Sequence, residues 1–430
     1  MFVQPEEIID EFANRLRDGE TPKDNWQYGL KLEHFVLDKE TKKPAVYGGD
    51  TGLGQMLSNL RYKAVDEKYD GDLLIGLVFE NFALTLMAGG QLEIAVQPSI
   101  QLFEVRQRYM DAVRLVSREL EAMDAELITA GYLPAGSAAD TSVLPAERYQ
   151  ALAAAYEKDG APEDGKRLMC GTASLKIVID YDDELDFVQK FRLAYLTAPF
   201  AHLMTSGSPV FEGEENTDIF LHRTLGAAAD PQRTGMVPDV FKREFGYRKY
   251  AEYLGSLPAY YEDEDEPIFS GVSYPYVFAD GENIVISYMD SMDITEALGV
   301  LAFYKGLTCN KTTVGDLLGM MPDDEELIGQ ACERIQEKGY YAIVYSRALR
   351  TWIDMLFEKA HGNLAFEELP LLLALEKPAR ARKSVCADMK LPDAGEVSAY
   401  YGGGKMIEFM QKGNEMRMAP KEKKEEKKEE

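Results

Sequence analysis

Three short segments of this chain, residues 31–37, 91–97 and 174–181, alternate in polarity, so that Lys31 and Glu33, Gln91 and Glu93, and Lys176 and Asp180 fall two or four positions apart. Neighbouring side chains on a β-strand point to opposite sides, so each pair shares one face of its strand. A sheet built from such strands has an apolar back and a front carrying carboxylate, amide and ammonium groups. A front of this kind, drawn from separate strands, suits a basin that holds a charged ligand. Two readings stay open on spacing alone, because Glu33, Gln91 and Glu93 also suit a solvent-facing sheet, and Lys31 and Lys176 suit an ordinary lysine surface.

The elements that must position these residues are legible in outline. Residues 6–17 read as a short helix, Gly29 precedes the first polar-faced strand, and residues 44–54 are rich in turn formers. Between 102 and 127, Val105, Tyr109, Val113, Val116, Leu120, Met123 and Leu127 recur every three or four positions and Gly131 ends the pattern, which predicts one long amphipathic helix over that span. A second unit of similar layout follows, a strand near 174–181 and a helix from Glu184 to about Met204 that stops before Ser206-Gly207-Ser208-Pro209. From about residue 294 the chain is mostly helical, with Ala297, Leu298, Leu301 and Phe303 in one apolar block and Leu349, Trp352, Ile353 and Leu356 in another. Strands first and helices later favour an α+β class. Residues 1–390 are expected to form a single domain and 391–430 a weakly structured to disordered charged tail, while Glu262 to Glu266 reads as a solvated acidic loop.

Composition narrows the partners. With 430 residues, 46% of them hydrophobic, the chain can bury a large core without staples. Cys170, Cys309, Cys332 and Cys386 form no CxxC pair and no Cys/His cluster, which disfavours disulfide frameworks and zinc sites. A formal charge of −27 with no basic stripe excludes nucleic acid as a natural partner. The acidic first residues and the lack of any apolar run near the ~20 residues that cross a bilayer point away from secretion and membranes and toward a cytoplasmic setting. His34, His202 and His222 sit in apolar or helical context and read as structural. The glycines between Gly48 and Gly54 lack the Gly-Lys-Ser/Thr ending of a phosphate loop and read as a turn.

Several blocks, in order, resemble the glutamate–cysteine ligase family, in particular its bacterial members related to the plant enzyme. They are Gly29-Leu30-Lys31-Leu32-Glu33-His34-Phe35, Gly89-Gly90-Gln91-Leu92-Glu93, Ser208-Pro209-Val210-Phe211-Glu212-Gly213, Asp230-Pro231-Gln232-Arg233-Thr234-Gly235 and Asp290-Ser291-Met292, within roughly residues 25 to 310. The resemblance implies a six-stranded antiparallel sheet curled into a half-open basin and flanked by helices, the architecture shared with glutamine synthetase. It also implies a reaction in which ATP and Mg²⁺ activate the γ-carboxylate of glutamate and the amine of cysteine then forms the amide, the first step toward glutathione. Glu33 and Glu93 then stand at catalytic and metal positions, and Gln91, Thr172, Lys176 and Arg233 at substrate or nucleotide positions. Phosphoryl transfer is mostly positioning and charge stabilisation, so such a site needs carboxylates on the metal and cations on the phosphates.

The chain departs from the family pattern at those very positions. Lys31 replaces the first member of the family's Glu-x-Glu, and Met87 replaces the leading carboxylate of Glu-Pro-Gly-Gly-Gln-x-Glu. Cys170 and Lys176 stand where the family shows Arg and Gln, and Val285 and Ser287 align with its Glu-x-Arg. Two expectations follow: a ligase with a depleted metal and phosphate site, acting on glutamate and an amine such as cysteine, or an inactive member that binds a ligand or regulates. The resemblance leaves room for Lys31 or Lys176 to fill the vacated cation position beside Glu33 and Glu93.

Overall fold

The computed structural model describes residues 4–385, apart from 42, 135, 262–265 and 273. The reading of 391–430 as a charged tail, and nearly all of the acidic loop reading, lie outside the described residues. The strands are β1 (Tyr28–Asp38), β2 (Asp66–Asp70), β3 (Leu73–Val78), β4 (Phe82–Leu86), β5 (Leu92–Val96), β6 (Ala125–Ile128), β7 (Ser174–Ile179), the two-residue hairpin partners β8 (Val210–Phe211) and β9 (Glu214–Glu215), β10 (Val277–Ala279) and β11 (Ile284–Asp290). The helices are α1 (Glu6–Asp18), α2 (Leu53–Leu60), α3 (Leu102–Ala122), α4 (Glu147–Lys158), α5 (Pro162–Gly171), α6 (Glu184–Thr205), α7 (Leu221–Ala229), α8 (Tyr247–Ser256), α9 (Ile294–Thr308), α10 (Lys311–Met320), α11 (Glu325–Lys338), α12 (Leu349–Asn363) and α13 (Leu369–Arg380).

One antiparallel sheet dominates, in the order β10-β11-β7-β1-β5-β4-β3-β2, with β6 pairing the far end of β1. It has nine strands rather than the expected six, because β10 and β2 extend its two edges and β6 caps β1. The long β1 makes this possible: its first half pairs β5 and β7, and its second half, Phe35 to Asp38, pairs β6. The helix expected over 102–127 ends at Ala122. Asp124 turns the chain with φ 55, and Ala125 to Ile128 leave as strand β6. The apolar periodicity ran on because Met123 and Leu127, though beyond the helix, still pack half-buried against the same core.

The back of the sheet is as apolar as the alternation demands. Leu30, Leu32, Leu92, Ile94, Leu175 and Ile177 are all inaccessible and join the main core. Onto this face pack α3, α6 and α9, with α10 to α13 closing over α6 and α9. Nearly every residue of α6 after Phe187 is buried, as expected of a helix enclosed on all sides. Asp183 caps its start by accepting from the Asp186 amide at 2.8 Å. A smaller apolar cluster, including Phe35, Tyr132, Tyr156, Leu168 and Leu225, holds α4, α5 and α7 together at the other side of β1. Among the described residues Cys170, Cys309 and Cys332 are free thiols, and no helix is long and apolar enough to cross a membrane.

Glycine permits one close approach that shapes the front. A Cβ on Gly131 would lie 2.3 Å from Asp290 Oδ2 and 2.4 Å from Ser208 Oγ. Gly131→Ala should therefore lower stability by about 1–3 kcal/mol through overpacking, read as a lower urea midpoint at unchanged slope. Gly315→Ala in α10, where a Cβ meets nothing within 4 Å, should instead raise it by roughly 0.5–1 kcal/mol.

Candidate functional site

The polar residues of the three strands share the front because of the strand register. Glu33 of β1 lies directly opposite Glu93 of β5, and Lys31 of β1 lies opposite Lys176 of β7. Like charges directly across a ladder repel, and the structure resolves the conflict diagonally. Lys176 Nζ reaches between the two carboxylates, 2.7 Å from Glu33 Oε1 and 2.6 Å from Glu93 Oε2. Burial alone would lower the Lys176 ammonium, but Glu33 and Glu93 outweigh it and hold its pKa above the ordinary lysine value. Burial likewise works to raise the Glu93 carboxyl, yet Lys176, Lys31 and Lys68 together keep it below the usual range. The second oxygen of Glu33 accepts from the Ser174 amide at 2.7 Å and the Ser174 hydroxyl at 3.0 Å.

Above this triad lies a half-open cavity of about 280 Å³. Its floor is Glu33, Ser174, Lys176 and Ser287 of the sheet, with Thr172 and Met87 at the strand ends. One wall comes from α4 and α7, through Arg148, Tyr149, His222 and Arg223, and the other from Tyr260, Tyr261, Tyr274, Tyr276 and Phe278. Arg148 Nε is committed to Asp70 at 2.5 Å. His222 Nδ1 pairs with Asp290 Oδ1 at 3.0 Å. Burial works against the Asp290 carboxylate, but His222, the Gly207 amide and the Ser208 hydroxyl outweigh it and keep its pKa low.

The structure gathers only part of the set read from the sequence. Glu33, Lys176, Thr172 and Met87 line the cavity, while Glu93 sits beneath it against Lys176. Gln91 is buried with its amide satisfied by backbone: its Oε1 accepts from Gly89 N, and its Nε2 donates to Met169 O and Thr172 O, which pins the β4–β5 turn to the end of α5. The Thr172 hydroxyl donates to Leu168 O at 2.7 Å. Arg233 Nη1 donates to Asp230 Oδ2 at 2.9 Å, and its guanidinium lies 4.6 Å over the Tyr260 ring, so it stiffens the loop behind the aromatic wall. Lys31 is not between the glutamates; its nearest carboxylate is Asp280 at 3.7 Å. Val285 is fully buried, paired with Val178 and Phe278 in an apolar plate.

Sequence reading missed His222, Arg223, Arg148 and the tyrosine wall as cavity residues. His222 had one usable signal, the Asp290-Ser291-Met292 block whose carboxylate it meets. The tyrosines come from α4 and from the stretch before β10, and no periodicity announces them. Burial depresses His34 to about 4, with its ring satisfied by Leu92 O and Tyr109 Oη as a structural histidine's would be, and depresses His202 to about 3 with its Nε2 unpartnered.

The frame is thus an antiparallel sheet with a polar front, a helical back and a half-open basin on one face. Residues 27–352 match the glutamate–cysteine ligase family 2 (GCS2), and the chain belongs to that family. It is 27% identical over 247 residues to the chloroplastic glutamate–cysteine ligase of Brassica juncea, covering 57% of this chain and 47% of that protein. It is also 27% identical over 252 residues to chloroplastic glutamate–cysteine ligase A of Oryza sativa subsp. japonica, covering 57% and 49%. The chain thus spans about half the length of the curated relatives it matches. The fold is shared with a glutamate–cysteine ligase from Francisella tularensis solved with AMP, at a TM-score of 0.53 and 10% identity over 92% of this chain and 90% of that one.

The donor set does not fit the Mg²⁺ that the family resemblance implies. Mg²⁺ demands octahedral oxygen coordination, usually through one or more carboxylates with waters and phosphates. Here both carboxylates are held by one ammonium, and among the described residues no group of three or more His, Cys, Asp or Glu side chains is arranged for a metal ion. Removing the ammonium leaves two buried carboxylates facing each other, so Lys176→Met should cost about 3–5 kcal/mol near neutral pH. The sign of the pH dependence should also reverse. In the native chain the depressed Glu93 stabilises the fold above the unfolded carboxylate pKa, and this is lost as pH falls through its lower folded pKa. In the variant the repelling pair favours protonation, so urea midpoints should rise between pH 7 and pH 5 where the native midpoint does not.

Proposed function

We propose that this chain is a glutamate–cysteine ligase homologue whose basin binds an anionic small molecule of that reaction without Mg²⁺, its ATP-dependent joining of glutamate to an amine such as cysteine lost or nearly so. One observation carries this reading: Lys176 Nζ stands 2.7 and 2.6 Å from Glu33 and Glu93, where a metal would need both carboxylates. Each electrostatic stabiliser removed from an active site costs about 10²–10³ in rate. Lys31 and Met87 mark two such losses, before the neutralisation of Glu33 and Glu93 is considered. The same exchange removes the floor's repulsion of anions, because Lys31, Lys68 and Lys176 offset Glu33, Glu93 and Asp280. Residues 1–390 would act as one domain in this reading, in a cytoplasmic setting, with neither nucleic acid nor membrane as a partner.

A second reading keeps the ligase activity, with ATP as co-substrate. It is favoured by Arg148 and Arg223, two guanidinium groups of the kind that hold phosphates, in the cavity wall. Steady-state assays separate the two. With glutamate, a panel of amines and Mg·ATP, the purified chain should release no ADP above background, and titration calorimetry with glutamate, cysteine and ATP should give the same affinities in EDTA as in Mg²⁺. Magnesium-dependent ADP release matched by amide product would reverse the proposal. The triple variant Lys31→Glu, Met87→Glu, Lys176→Gln should acquire saturable Mn²⁺ binding, read by electron paramagnetic resonance, that the native chain lacks.

A further inference from the structure

Behind the basin lies a second chamber of about 260 Å³, formed by α6, α7, α11 and the segment 231–236. Arg223, Thr234, Gly235 and Tyr276 line both cavities, so they form the wall between them, and Tyr276 N donates to Gly235 O across it. The chamber's volume is at the small end for a ligand pocket and suits a molecule of about one ring and an anionic group.

Arg223 is the unusual group in this shared wall. The chain carries 74 acidic residues against 47 lysines and arginines, so a half-buried guanidinium has many carboxylates to choose from. The other arginines of the region are paired, Arg148 with Asp70 and Arg233 with Asp230. Arg223 makes no hydrogen bond or ion pair with any described residue. Nearby carboxylates are engaged elsewhere: Asp290 by His222, Gly207 and Ser208; Asp218 by the Phe220 amide and the Thr224 hydroxyl; Glu325 by the Asp239 and Val240 backbone. A half-buried guanidinium with all its donors free is open to an anionic ligand.

His202 supplies an independent observation in the same chamber. It is 3% exposed, stacked 5.1 Å from Tyr288 and set edge-on to Phe220 and Tyr276, and its Nε2 is buried with no hydrogen-bond partner. A buried polar atom without a partner is rare enough in a native fold to need an explanation. Apart from Glu325 and Thr234, whose hydroxyl donates to Asp230 O, the rest of the lining is mostly apolar or aromatic, including Ala198, Met236, Ile328 and Cys332.

We infer that the inner chamber is an anion subsite, in which Arg223 and His202 take the carboxylate or phosphate of a small organic ligand whose apolar or aromatic body fills the rest of the chamber. This rests on the metal-free binding reading above and names the class of ligand. The neutral imidazole can donate one N–H to the anion, while the guanidinium offers a bidentate fork. A carboxylate and a phosphomonoester share this chemistry, so the probes must separate them.

The test is calorimetric titration of the full chain with phenylacetate, phenyl phosphate and the uncharged benzyl alcohol, each in EDTA and in Mg²⁺. At least one anion should bind in EDTA, the alcohol at least tenfold more weakly. Arg223→Gln should lose tenfold or more of that affinity at unchanged thermal midpoint, Arg223→Lys should retain part of it, and His202→Phe should lose severalfold. No binding of either anion, equal binding by Arg223→Gln, or equal binding of the alcohol would overturn the assignment. Binding that needs Mg²⁺ yet still depends on Arg223 would instead remove the metal-free reading and leave the subsite in place.

Discussion

The ammonium of Lys176 between Glu33 and Glu93 is the contact on which the front of this protein depends. Two ladders place like charges directly opposite, Glu33 against Glu93 and Lys31 against Lys176. Either pair alone would push the strands apart. Together they form a lattice in which the diagonal neighbours attract, with Asp280 taking the remaining charge of Lys31 at 3.7 Å. The lattice also locks the register. Sliding β7 by one residue would drive Lys176 into the apolar back and bring Leu175 or Ile177 to the front, so charge in front and hydrophobic burial behind select the same pairing.

The back of the sheet supplies the rigidity that this charge cluster needs. Ion pairs stabilise little when their partners can wander into water, and the triad is held because β1, β5 and β7 are clamped against α3, α6 and α9. The helices over the front are fixed by polar bonds to backbone as well as by packing. Gln91 ties the β4–β5 turn to Met169 and Thr172, and Asp290 ties α7 through His222 to Gly207 and Ser208. Leu168 of α5 and His222 of α7 both line the cavity, so the two links hold those helices at its walls.

The fold was legible where periodicity and burial agree. The alternation in β1, β5 and β7 named the right strands and the right faces, and Glu184 to Thr205 was readable as a helix because its apolar residues surround a capped start. Strand number was not, because β2, β6 and β10 are added at the margins of the sheet and their pairing is decided by β3, β1 and β11 rather than by their own composition. The overlong helix at 102–127 shows the same limit: Asp124 at φ 55 breaks the helix, while the burial pattern on either side continues undisturbed. In the site, the cluster of Glu33, Glu93 and Lys176 followed from strand phase. Arg223 and His202 did not, since they lie in helices α7 and α6 and meet only through tertiary packing.

Charge accounting explains how a family basin can lose its carboxylates and still be a basin. The resemblance places acidic residues at positions 31 and 87 and at 285, where this chain has Lys31, Met87 and Val285, and an uncharged amide where it has Lys176. A site of the first kind is strongly negative until a divalent ion enters, and the ion then presents positive charge to phosphate. Here the three lysines at 31, 68 and 176 offset Glu33, Glu93 and Asp280, so the floor is close to neutral with no ion present. The neutralisation that a metal would have supplied is built into the chain, in a protein whose overall charge is −27. In the proposed reading such a floor admits an anionic ligand, but it lacks the mobile, doubly charged Lewis acid that phosphoryl transfer draws on, and that difference separates holding the ligand from activating it.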